Sequence, residues 1–565
     1  MKKNSACFFA TLMIFTGAAF AQENQGGSSN NNLGEIHGNF QVDAQYYNPD
    51  STIGAPPVPQ KVLSNGFCNL NYTKGNFKAG LRYESYLDVM QGFDSRYKGT
   101  GIPYRYAMYT IDGLEVTVGS FYEQFGSGLV LRAYEERGLG FDNALDGIRV
   151  KFMPYKGIYL KGLIGQQRFF FQETGRVRGF DGEIQFNELT PNWEEKKTKL
   201  MVGGSFVSKY QADQNPSLIL PLNVGCYGGR FNLAHGNLNV YGEYAYKIND
   251  PNYDNGYIYK PGEAALLQLS YSKKGTGASL SVKRIDNMVY KSDRDVAGNA
   301  LFINYNPVLT KQHTYGLLAF YPYASQTNGE FCYQAEFLHK FKKHKEETGT
   351  FMEKVDALLG GKYGTDFAIN YSGAFNLDTT RFNSVNDSSK IGYKNNNYFG
   401  IGNQILYQDF NIEITKKISP KFKMTVVYAN QVYNIDVIRV DPGAPNVCSN
   451  IGVVDMTYKY KDEGSIRMEL QHLYTRQDSG SWAEGLLEWT PSEHWFVAGM
   501  DQYNYGNTHP DKRFHYMNVQ VGYIRNANRI TLGYGKQRAG IFCAGGVCRY
   551  VPAANGFTLS ITSSF

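Results

Sequence analysis

The sequence predicts an all-β protein, a large antiparallel transmembrane β-barrel, on three observations. Segments of roughly ten residues alternate apolar and polar side chains from Glu35 to Phe565. Short turns alternate along the chain with longer polar loops. Aromatic residues are abundant, with 44 Tyr and 36 Phe, yet the mean hydropathy is −0.41. A strand whose successive side chains face lipid and water in turn needs this mixture. A helical membrane protein needs runs of about 20 apolar residues, and none follows residue 21.

The first residues indicate export. Lys2 and Lys3 open the chain, an apolar run extends from Ala6 to Phe20, and Ala19-Phe20-Ala21 closes it with an A-x-A pattern. Residues 1–21 therefore read as a cleaved secretory signal peptide. The alternative, an uncleaved anchor, asks for a longer run without small residues at its end. Residues 22–34, rich in Gly, Ser and Asn, read as a flexible lead, and residues 35–565 as one barrel. The formal charge of +6 includes Lys2 and Lys3. No block of like charge points to nucleic acid.

Cys543 and Cys548 are separated by Ala-Gly-Gly-Val, and an exported chain can close them into a local disulfide. A metal site there would lack a neighbouring His. Cys68, Cys226, Cys332 and Cys448 are scattered and read as small buried or lipid-facing residues.

Turns are expected at Lys74-Gly75-Asn76, Asp112-Gly113, Lys156-Gly157, His235-Gly236-Asn237, Ser419-Pro420-Lys421, 461–464 and Pro491-Ser492-Glu493. Longer loops fall at 48–61, 91–101, 122–144 and 434–449. Short turns on one side and long loops on the other fit periplasmic and external ends. The parse reaches about 26 strands, within a range of roughly 20 to 26, and its weakest strands lie between Asp286 and Thr365. Residues 344–361 lack alternation. Phe351, Val355, Leu358 and Leu359 there have helical spacing, so a short amphipathic helix or a plain insertion is expected.

The last strand is the cleanest. Phe557, Leu559, Ile561 and Phe565 share one face, with Thr558, Ser560, Thr562 and Ser564 on the other. Its terminal aromatic resembles the signal read by the barrel-assembly machinery, with Phe557 and Phe565 carrying the likeness. Elsewhere Leu114, Val116 and Val118 share one face, and Ile148, Val150 and Phe152 face outward. Alternation points Arg82, Arg105, Arg149, Lys151 and Lys161 into the lumen, with Glu84 as an acidic neighbour. Such a wall attracts anions unless carboxylates cancel it.

Those carboxylates are at hand in the loop 122–144. Glu123, Arg132, Glu135, Glu136, Arg137, Asp142 and Asp146 make it denser in both charge signs than the other loops. Paired charges let such a loop fold into a wide lumen and constrict it. The alternative is an external loop with solvated charges.

The stretch Gly119–Arg149 resembles alginate-export-type porins, in which a similar loop precedes an Asp-Gly-x-Arg strand. The Gly-Arg-Gln of that family is replaced here by Ser120-Phe121. Over its full length the chain resembles a family of outer-membrane barrels of unknown function. Tyr134-Glu135-Glu136-Arg137, Gly361-Lys362-Tyr363-Gly364-Thr365-Asp366 and Cys543-Ala-Gly-Gly-Val-Cys548-Arg549 carry that likeness. It implies a fold and a location, the cell outer membrane.

No Gly-x-Ser-x-Gly, His-Glu-x-x-His or phosphate-loop motif is present. No catalytic residue, metal or cofactor is therefore expected. The expected surroundings are the lipid bilayer, lipopolysaccharide and, during biogenesis, the assembly machinery. Two functions stay open. One is a porin-like channel for small polar or anionic solutes. The other is a structural or secretion-associated barrel acting with a protein partner. Energy-coupled uptake asks for a globular plug before the first strand, which a lead of about a dozen residues does not hold.

Overall fold

The computed structural model describes residues 33–213, 215–342, 358–382, 392–544 and 547–565. The signal-peptide reading and residues 344–357 of the helical reading fall outside them. The described residues form one closed sheet of 24 antiparallel strands. The first strand, Glu35–Tyr47, pairs with Val62–Lys74 on one side and with the last strand, Ala554–Ser564, on the other. Pairing the first strand to the last removes the open edge that lipid would leave unsatisfied.

Alternation builds the two faces. Four neighbouring strands align Ile414, Val426, Val454 and Leu470 in one outward row. One residue along, the register aligns Glu413, Val427, Val453 and Gln471 toward the lumen. The closing seam repeats this. Tyr46, Phe557 and Tyr534 lie side by side, and the Phe557 and Tyr534 rings are 4.5 Å apart. Phe565 extends the last strand, exchanging both backbone hydrogen bonds with Gly38 at 2.9 Å. Exposed Val118, Ile148, Phe180, Phe231 and Leu532 belong to the same outer belt. In water such a belt would be a large unfavourable apolar surface; in lipid it is the solvated face.

Short hairpins close one end. Gly75 and Gly113 take φ of 56° and 71°, a left-handed conformation that glycine adopts without steric cost. The short helices Phe186–Leu189 and Pro191–Glu194 lie at this end. At the opposite end most of the connections are long, and two of them turn inward.

The strand count is 24 where the sequence parse reaches about 26. Part of the difference lies where the parse is weakest. Between the strands Thr276–Asp286 and Gly329–Phe341, residues 287–328 contribute no strand to the barrel. They enter the lumen instead.

Candidate functional site in the barrel lumen

The first inserted segment joins the strands Leu114–Phe121 and Leu145–Tyr155. Its Phe125, Leu129, Val130 and Leu131 are buried with Leu163, Val177 and Val207 of the wall. That apolar contact draws the loop inward. Its charges then meet wall charges. Arg82 lies 2.7 Å from Glu84 and 2.9 Å from Glu135, and it also contacts Asp142. Arg168 reaches Glu84 and Asp142, each at 2.6 Å. The Tyr122 hydroxyl donates to Asp142 at 3.0 Å. A second knot surrounds Glu123, with Lys161 at 3.0 Å, Arg149 at 3.3 Å and Lys151 at 3.5 Å. Glu115 of the wall also pairs with Arg149, at 2.8 Å.

The remaining loop residues complete the packing. The Arg132 guanidinium sits 4.1 Å from the rings of both Tyr134 and Tyr305, a favourable cation–π placement. Arg137 pairs with Glu135 at 2.9 Å and covers the Phe67 ring. Glu136 is half-buried opposite Phe141 in a two-residue ladder.

Two sequence-predicted site residues lie elsewhere. Arg105 points outward, not into the lumen. It is the cross-strand partner of Leu81, which faces out, while its neighbour Tyr104 pairs with buried Arg82. Asp146 shares the outward face with Ile148, and it binds Arg105 at 3.1 Å instead of joining the loop. Tyr104, Tyr106 and Tyr109 occupy both faces of Gly99–Ile111, so apolar character does not identify the lipid side there. At mid-strand, an ion pair with Asp146 satisfies Arg105.

Burial alone would raise the Asp142 carboxyl, but Arg168 and Arg82 outweigh it and hold its pKa below the usual range. Glu123 is lowered in the same way, by Lys161, Lys151 and Arg149 against its burial. A carboxyl with a depressed folded pKa stabilises above its unfolded value, and that contribution disappears as pH falls through the folded value. Seating of the loop should therefore be constant from neutral pH to about 5 and weaken below about 4. Hydrogen exchange across residues 123–142, corrected for intrinsic rates, measures this. Protection that persists undiminished to about pH 2.5 would contradict it.

The second inserted segment, residues 287–328, is a strap across the lumen that periodicity does not reveal. At its root the Tyr290 hydroxyl donates to the Val224 carbonyl at 2.9 Å, and Lys247 donates to the Val289 carbonyl at 2.6 Å. At mid-lumen it joins the first loop. The Arg132 amide donates to Ile303 at 2.8 Å, and the Tyr305 amide to Gly128 at 2.9 Å. It then reaches the far wall. His313 meets Asp409 at 2.5 Å, Tyr315 donates to Asp455 at 3.2 Å, and the Leu317 amide donates to Gln471 at 2.9 Å. Gln431 donates to the Leu318 carbonyl at 3.1 Å. Leu317, Leu318 and Tyr321 are buried with Val427, Val453 and Leu473. The signal available in the sequence was length: a long connection without strand alternation inside a compact domain is uncommon unless it has a role of its own.

The strap and the loop share one property. Each begins and ends on residues that are cross-strand partners, Asp286 with Gly329 and Phe121 with Leu145. The wall is complete without either.

These features define a lipid-facing β-barrel whose lumen is filled by its own connections. The chain belongs to a family of unknown function, DUF6029, whose model matches residues 1–565. No curated protein matches it. Among solved structures it resembles outer-membrane barrels at low identity. One is the siderophore receptor PirA from Pseudomonas aeruginosa, 11% identical, covering 94% of this chain and 80% of that one, with a TM-score of 0.38. A variant of the ferric enterobactin receptor PfeA from Pseudomonas aeruginosa is 10% identical over 96% and 82%, with a TM-score of 0.41. OpdL from Pseudomonas aeruginosa is 11% identical over 76% and 94%, with a TM-score of 0.33. The comparisons give no support to the local likeness to alginate-export-type porins.

Proposed function

We propose that the chain is an outer-membrane channel for small polar solutes, held shut by the strap 287–328 and narrowed by the loop 122–144. One observation carries this reading: both obstructions are removable, because the strands that bear them are already paired at the points of insertion. A structural barrel has no need of a filling that can leave without opening the wall. The alternative of a barrel acting with a client draws its force from a wide lumen that needs filling. Here the chain fills its own lumen.

Any anion preference belongs to the opened state. With the loop seated, Glu123, Glu135 and Asp142 join Glu84 and Glu115 of the wall to balance Arg82, Arg149, Lys151, Lys161 and Arg168. With the loop withdrawn, those five cations face water with Glu84 and Glu115. Such a wall raises the local anion concentration.

The test is planar-bilayer recording of the native protein. A long-lived closed state with brief openings is expected. Low urea, by weakening the strap's contacts, should lengthen those openings before the barrel unfolds. A protein that never conducts under either condition contradicts the channel reading.

A further inference from the structure

A cavity of about 880 Å³ opens at the long-loop end, between the tip of the strap and the connections that follow Tyr433, Tyr474, Tyr503 and Gln537. Its size falls within the usual range for small-molecule sites, roughly 300–1,000 Å³. One wall is aromatic. The Phe320 and Trp482 ring centroids are 5.2 Å apart, and those of Trp482 and Tyr516 are 5.9 Å apart. Together they line the cavity with an apolar wall that another ring can contact.

The charges lining the same cavity are unbalanced. Arg439, Lys512 and Arg538 face one carboxylate, Asp478, which is taken by Arg439 at 3.3 Å. Arg538 has no carboxylate in ion-pair contact among the described residues. Its guanidinium lies 3.9 Å from the centre of the Phe320 ring and donates only to its neighbour's carbonyl, at 3.3 Å. The nearby Glu484 is occupied, accepting from Gln471 at 2.8 Å and from Gln502 at 2.7 Å. A guanidinium with structural duty alone is ordinarily matched by an acid. Burial pushes the Arg538 pKa down to about 10, against the opposing pull of Glu484.

We propose that this cavity binds an anionic ligand carrying a flat aromatic ring. Arg538 and Lys512 take the acid group, and Phe320, Trp482 and Tyr516 take the ring. Phe320 belongs to the strap, so the ligand rests on the element that fills the lumen. The binding itself does not require conduction, and failure of the channel reading leaves it intact.

The probe is naphthalenesulfonate, with neutral naphthalenemethanol as control. Each is measured by equilibrium dialysis against the full chain in a non-ionic detergent and against protein-free micelles. One saturable site for the sulfonate, absent for the alcohol, is expected. Arg538→Gln should weaken it about tenfold or more, as loss of a charge-assisted hydrogen bond does. Lys512→Gln, at an exposed position, should weaken it about threefold. No saturable binding, equal binding of the neutral control, or affinity unchanged in the variants overturns the proposal. If Arg538→Gln fails to fold, Lys512→Gln decides between these outcomes.

Discussion

Replacing residues 289–326 with a short Gly/Ser linker is expected to raise the time-averaged conductance of the barrel about tenfold or more. The linker can be short because Asp286 and Gly329 are already cross-strand partners. The wall's hydrogen-bond ladders do not pass through the strap, so the barrel should still migrate as a folded species on unheated gels. Its stability should fall, because Val427, Val453 and Leu473 lose the cover of Leu317 and Leu318. Recording native and strap-free proteins side by side measures the effect. Equal conductance from two folded barrels would mean that the strap is not the obstruction.

Charge selectivity should follow the loop. In the strap-free protein, changing Glu123 and Glu135 to Gln and Asp142 to Asn removes the carboxylates that neutralise the basic wall. The wall then keeps Arg82, Arg149, Lys151, Lys161 and Arg168 against Glu84 and Glu115. Chloride should be preferred over potassium by about threefold or more, and the preference should fade as salt rises and screening shortens. The reversal potential across a potassium chloride gradient reads this directly. A cation preference, or a reversal potential unchanged by the three substitutions, would show that these carboxylates do not set the field. The same substitutions leave Arg82 and Arg168 sharing Glu84 alone, so the loop should also loosen.

The wall was legible in the sequence where its two faces differ in character. Ile148, Val150 and Phe152 against Arg149 and Lys151 allow one orientation in lipid, and the turns at Gly75 and Gly113 fix where such strands stop. Legibility fails where both faces carry similar residues, as with the tyrosines on either side of Arg105. It fails again for partnerships across many strands. Arg168 binds Glu84 only because strands distant in sequence bring both to one point of the lumen. The strap was hidden for a further reason. A segment that packs irregularly inside the lumen needs no amphipathic period, so Met288, Tyr290, Ile303 and Leu317 are all buried without sharing a face of any regular element. Alternation detects surfaces between two solvents, and the buried part of the strap meets protein.

The filled lumen is tested most directly by covalent capture. His313 of the strap and Asp409 of the far wall lie 2.5 Å apart. With Cys68 and Cys448 replaced by serine, the double variant His313→Cys, Asp409→Cys should be bridged in native membranes by a short bis-maleimide, because a contact made through an imidazole and a carboxylate sets the two backbones too far apart for a direct disulfide. Mass spectrometry of the digested protein should find the two peptides joined in most molecules. Two thiols in a folded barrel that each react with a membrane-impermeant monomaleimide but are never bridged would place the strap outside the lumen and contradict the account.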